Sequence, residues 1–206
     1  MNALLPLVQT PTRHRFTVDE VMRMADVGLI DPDARYEVMD GDLIDMPSEG
    51  ELHLGYKILL NRFFVEKVRR DLWVAPDATL HLGPIDAPEP DIYVVAANVR
   101  LKPIDSANVR LVLEIADSSM GYDLGRKAAK YASFQVDEYW VVDVAARCTH
   151  VLKAPEGGAY QNITSVSFDQ LLTPIHIPYV ALVIADLFDG LEPSCSGATE
   201  DARSGS

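Results

Sequence analysis

The chain has 206 residues and a net charge of −13, with 48% hydrophobic and 24% charged residues. That balance predicts a globular fold, not disorder, collagen or coiled coil, and it excludes coating nucleic acid by bulk charge while leaving room for a local basic groove. The two cysteines, Cys148 and Cys195, are far apart without metal-finger spacing. They exclude a disulfide framework and fit a reducing, cytoplasmic compartment.

Residues 1–16 read as a lead-in, whose apolar start is broken by Pro6 and lacks the basic flank of a secretory signal. Thr17 and Glu20 make a capping box, so a short helix is expected up to Val27, with Gly28 to stop it. Asp40-Gly41 between 35–39 and 42–46 signals a hairpin. Ser48 and Glu51 form a second capping box, and Leu52, Tyr56, Leu59 and Phe63 predict the inward face of a helix over 51–70. Short strands are expected at 71–74 and 79–82, then at 91–95.

Residues 110–116 are apolar on both faces, as in a central strand. A helix over 122–135 and a buried strand over 138–144 complete a right-handed crossover. A hairpin pairs 148–153 with 159–164, and the Ser-, Gly- and acid-rich residues 191–206 read as a disordered tail. The order predicts a mixed sheet with flanking helices, an α/β (α+β) domain over 17–190.

Walker, G-x-G-x-x-G, H-E-x-x-H, C-x-x-C and G-x-S-x-G motifs are absent. The informative feature is acid inside strands. Glu114 lies in Leu-Val-Leu-Glu-Ile-Ala; a carboxylate there must pair with a cation, stay protonated or bind a metal. Asp91 follows Pro90 at the start of another apolar strand, as a turn residue or as a second ligand. Two acids on neighbouring buried strands create a negative site that magnesium or manganese neutralises. Lys127 shares a helical face with Leu124, Tyr131 and Phe134, so it either snorkels to solvent or reaches a buried acid or a phosphate.

In their order and spacing, several stretches resemble the Uma-type family of putative restriction endonucleases, within the PD-(D/E)XK superfamily. They are 35–47 (RYEVMDGDLIDMP) with His53 beyond it, 89–95 (EPDIYVV), 111–119 (LVLEIADSS), 123–131 beginning DLGRK, and 136–143 (VDEYWVVD). The resemblance implies a restriction-endonuclease-like core and metal-dependent DNA cleavage, with Mg2+ or Mn2+ held by Asp91, Glu114 and the carbonyl of Ile115. It implies that Glu37 is a further metal or water ligand. The lysine that the superfamily places two residues after the acid is replaced by Ala116, and Lys127 matches a lysine moved to the next helix. His53 either joins the site or caps and packs near its helix start.

DNA contact would fall to the 57–70 helix with Arg100, Lys102 and Arg110, and a homodimer is compatible with cutting both strands. The alternative function is a catalytically inactive nuclease-fold module used in nucleic-acid or protein interaction.

Overall fold

A computed structural model describes residues 12–31, 33–99 and 104–188. The expectations for a lead-in over its first eleven residues, for a tail beyond 190, and for Arg100 and Lys102 lie outside these. Helix α1 (Val18–Asp26) starts with the expected capping box, Thr17 accepting from the Glu20 N–H and Glu20 accepting from Thr17. Strands β1 (Tyr36–Met39) and β2 (Asp42–Asp45) form the expected hairpin as a separate two-stranded sheet. Asp40 and Gly41 both take positive φ, 55° and 74°, as a two-residue turn of type I′ requires.

Helix α2 (Glu51–Lys67) departs from expectation twice. Its N-cap is Gly50 with no side-chain hydrogen bond, so the Ser48–Glu51 box does not form. Its buried stripe is Tyr56, Leu60 and Phe64, while Leu52 is exposed. Apolar residues lie all round this helix, so periodicity alone does not choose a face.

The main sheet has six strands: β3 (Leu72–Pro76), β4 (Ile92–Ala96), β5 (Val109–Ala116), β6 (Glu138–Asp143), β7 (Cys148–Glu156) and β8 (Ala159–Ser167). They lie in chain order, with β5–β6 parallel and all other neighbours antiparallel. Residues 79–82 form no strand. Leu80 and Leu82 are buried from an irregular segment whose N–H groups bond to Pro88 and Asp86. Short β9 (Leu171–Leu172) and β10 (Leu182–Val183) pair with each other.

Helix α3 (120–133) makes the β5-to-β6 crossover, but not as the regular helix expected over 122–135. Met120–Tyr122 and Ala128–Ser133 are α-helical, and Asp123–Lys127 between them is a π turn. The Asp123 carbonyl accepts both the Ala128 N–H and the Tyr139 hydroxyl, which holds the widened turn against β6.

The sheet is covered on both faces, as the apolar strands require. Leu111, Leu113, Ile115 and Trp140 pack with α2, and Val112, Ala116, Tyr139 and Val141 pack with α3. Each fully buried large side chain contributes about 1.5–3 kcal/mol. Alternation along β5 therefore aims Glu114 at α3. No helix among the described residues is long and apolar enough to cross a membrane.

Candidate active site

Glu114 stands midway along β5 and is 3% exposed. Its Oε1 accepts from the Lys127 ammonium at 2.8 Å and from the Tyr131 hydroxyl at 3.1 Å, leaving Oε2 out of both contacts. Lys127 does not snorkel: it is 1% exposed, and its Nζ also lies 2.9 Å from Glu37 Oε1 and 3.9 Å from Asp123 Oδ1. Burial alone would lower the Lys127 pKa, but Glu114, Glu37 and Asp123 outweigh it and raise the pKa above the usual lysine range. Burial pushes Glu114 well above the ordinary carboxylate range against the pull of Lys127, and raises Asp123 in the same way.

Asp91 is buried just before β4. Its Oδ2 accepts the Ile115 N–H at 2.7 Å and its Oδ1 lies 2.8 Å from His53 Nε2. The β4–β5 register pairs Leu113 with Ile92, so two residues further along it sets Ile115 opposite Pro90. Proline has no N–H to give the Ile115 carbonyl. In an extended strand that carbonyl leaves by the same strand edge as the Ile115 N–H. Asp91, Glu114 and Ile115 thus line one site, and carboxylate and carbonyl oxygens are the hard donors that suit magnesium or manganese.

These groups line a cavity of about 310 Å³ together with Lys127, His53 and Asp123. Seven carboxyl residues line it against Arg35, Lys127 and His53, so it favours cations. Glu37 is not in its wall. It is fully buried behind Lys127, accepting also from the Glu89 N–H and the Tyr122 hydroxyl. His53, on the first turn of α2, joins the site through Asp91. Burial opposes its charge, but Asp91 and Glu49 raise its pKa overall. Glu49, His53 and Asp91 also bring ligand atoms within 4.8 Å of one another.

Several members escaped sequence reasoning. Asp123 has one local signal, its i,i+4 spacing to Lys127. Arg35, which pairs with Glu49 and Glu89, opens the resembling stretch 35–47, but nothing local points to those partners. Two further lysines are held in ion pairs. Lys57 is 6% exposed and paired with Glu49 and Asp77, so it is not a free phosphate contact on the 57–70 helix. Lys130 ties α3 to Asp40 and, at 2.8 Å, to Asp86. Together with Arg126, which bonds the Met39 carbonyl and Asp42, it clamps the β1–β2 hairpin that carries Glu37.

A similar fold occurs in the crystal structure of a putative nuclease belonging to DUF820 from Anabaena variabilis ATCC 29413. The two share 18% identity with a TM-score of 0.66, over 84% of this chain and 98% of that one. No curated protein matches the chain. The family model Uma2, described as "Putative restriction endonuclease", matches residues 18–182, a span that contains every cavity residue named above. The chain belongs to the Uma2 family of putative restriction endonucleases.

Proposed function

We propose that the cavity is the active site of a metal-dependent phosphodiesterase of the PD-(D/E)XK type, acting on DNA. The observation that carries this reading is that Asp91, Glu114 and Ile115 line one cavity, with Asp91 bonded to the Ile115 N–H and a buried lysine on Glu114. Asp91, Glu114 and the Ile115 carbonyl would hold Mg2+ or Mn2+. When bound, the ion supplies charge on the scissile phosphate and a more acidic water.

The chain's own groups divide the remaining work. Lys127 is held positive by three carboxylates, which makes it a poor general base and a strong stabiliser of charge developing on phosphoryl oxygens. Its migration from position 116 to α3 is consistent with the small Ala116, which lies on the same sheet face as Glu114 and packs with α3. Glu37 and Tyr122 position Lys127 from behind, and His53 orients Asp91.

The net charge of −13 favours the second reading, a nuclease fold kept for interaction, because phosphate affinity must then come from few cations. Divalent binding separates the two. Plasmid and single-stranded DNA nicking across Mg2+, Mn2+ and Ca2+ tests the enzyme reading. Cleavage with magnesium or manganese, but not without metal, supports it. A protein inert with every ion and unable to bind them supports the interaction module.

A further inference from the structure

A second cluster lies on the sheet face covered by α3, outside the cavity. Asp143 ends β6, and the register sets it directly opposite Cys148 at the start of β7. His150 follows two residues later, so all three side chains leave the same face. Cys148 Sγ is 3.9 Å from His150 Nε2, and Asp143 Oδ2 is 3.6 Å from the same nitrogen. The three ligand atoms lie within 4.8 Å of one another.

These spacings are close to those of a ligated ion. Zinc bonds of about 2.3 Å to sulfur and about 2.0 Å to nitrogen, at tetrahedral angles, set S and N about 3.5 Å apart. Each of two ligands is also anchored from outside. His150 Nδ1 lies 3.0 Å from Ser165 Oγ on β8, so a proton donated there turns the Nε2 lone pair towards Cys148 and Asp143. Asp143 Oδ1 accepts the Ala146 N–H at 2.7 Å, leaving Oδ2 to face His150. The His150 and Asp143 side chains are 19% and 16% exposed, which admits an ion from solvent.

A Cys–His–Asp catalytic triad would place the acid on the ring nitrogen opposite the thiol. Here thiol and carboxylate converge on the same nitrogen, which is the arrangement of ligands around a shared ion. We infer that Asp143, Cys148 and His150 form a second metal site, selective for a borderline-soft ion of the zinc class. Sulfur and imidazole donors disfavour magnesium, and three protein ligands leave one position for water or another ligand.

The test uses the full chain with Co2+ as the probe, excess Mg2+ present, and Zn2+ as competitor. One Co2+ per chain is expected, with a thiolate-to-cobalt charge-transfer band that Zn2+ abolishes. Cys148→Ser should remove the band, His150→Gln should weaken binding at least tenfold, and Cys195→Ser should change neither. Wild-type melting behaviour in each variant, read by circular dichroism without metal, separates ligand loss from misfolding. No charge-transfer band in the wild type, a band that survives Cys148→Ser, or one lost in Cys195→Ser overturns the inference.

Discussion

The Lys127 ammonium lies 2.8 Å from Glu114 and 2.9 Å from Glu37, so one buried cation is shared by two buried carboxylates from different sheets. Asp123 stands near as a third. The two ends of this cluster are therefore not equivalent. Removing Glu114 leaves Lys127 with Glu37 and Asp123. Removing Lys127 leaves three carboxylates without their cation.

This asymmetry makes opposite predictions for two shape-preserving changes. Lys127→Met should destabilise by about 3–5 kcal/mol near pH 8, the usual cost of stranding buried charge. Glu114→Gln can keep the Tyr131 hydroxyl bond and should cost far less. Urea unfolding of both variants without metal measures the difference.

The pH dependence follows from the same burial. The Glu114 pKa is raised in the folded state. It therefore contributes stability fully present below its unfolded value, near pH ~4.3, and lost as pH rises through the raised folded value. Glu114→Gln should thus gain stability relative to the parent as pH rises from about 4 towards neutrality. Paired denaturation curves at several pH values read this as a difference, which cancels carboxylates such as Glu49 and Asp40 whose lowered pKa values act oppositely.

Magnesium or manganese should raise the melting temperature of the parent protein, by the equivalent of about 2.7 kcal/mol at a hundredfold excess over Kd. Asp91→Asn keeps an oxygen for the Ile115 N–H, so it should melt near the parent without metal and lose the metal-dependent rise. Thermal melts with and without each ion measure both effects.

Gly41 tests the hairpin that delivers Glu37. Its φ is +74°, and an added Cβ would lie 2.6 Å from Arg15 Cβ and 2.9 Å from Arg15 Cα. Gly41→Ala should cost roughly 1–3 kcal/mol through a strained backbone and this clash. Denaturant midpoints for Gly41→Ala and for the exposed control Lys67→Ala check it.

Glu114 was legible because it interrupts an apolar strand and Asp91 because it opens one, and Asp40-Gly41 was legible because its turn demands positive φ. The pairings around them were not. Lys127 meets Glu37 across the chain, and Lys130 meets Asp40 and Asp86 from likewise non-local positions, with no local pattern to announce either. Residues 79–82 alternate like a strand, yet bury Leu80 and Leu82 from a loop. The π turn at Asp123–Lys127 carries a tertiary contact, the Tyr139 hydroxyl on the Asp123 carbonyl, which no local pattern announces.

Single-turnover nicking of supercoiled plasmid, with Mg2+ or Mn2+ saturating each variant, compares the parent, Lys127→Met and the exposed α1 control Arg23→Ala most directly. The parent and Arg23→Ala should nick at equal rates and only with metal. Lys127→Met, folded under the assay conditions and still binding metal, should be slower by at least roughly a hundredfold, the scale of losing one electrostatic stabiliser. Cleavage by Lys127→Met at the parent rate, or nicking by the parent in chelator, would contradict a metal site in which Lys127 stabilises the transition state.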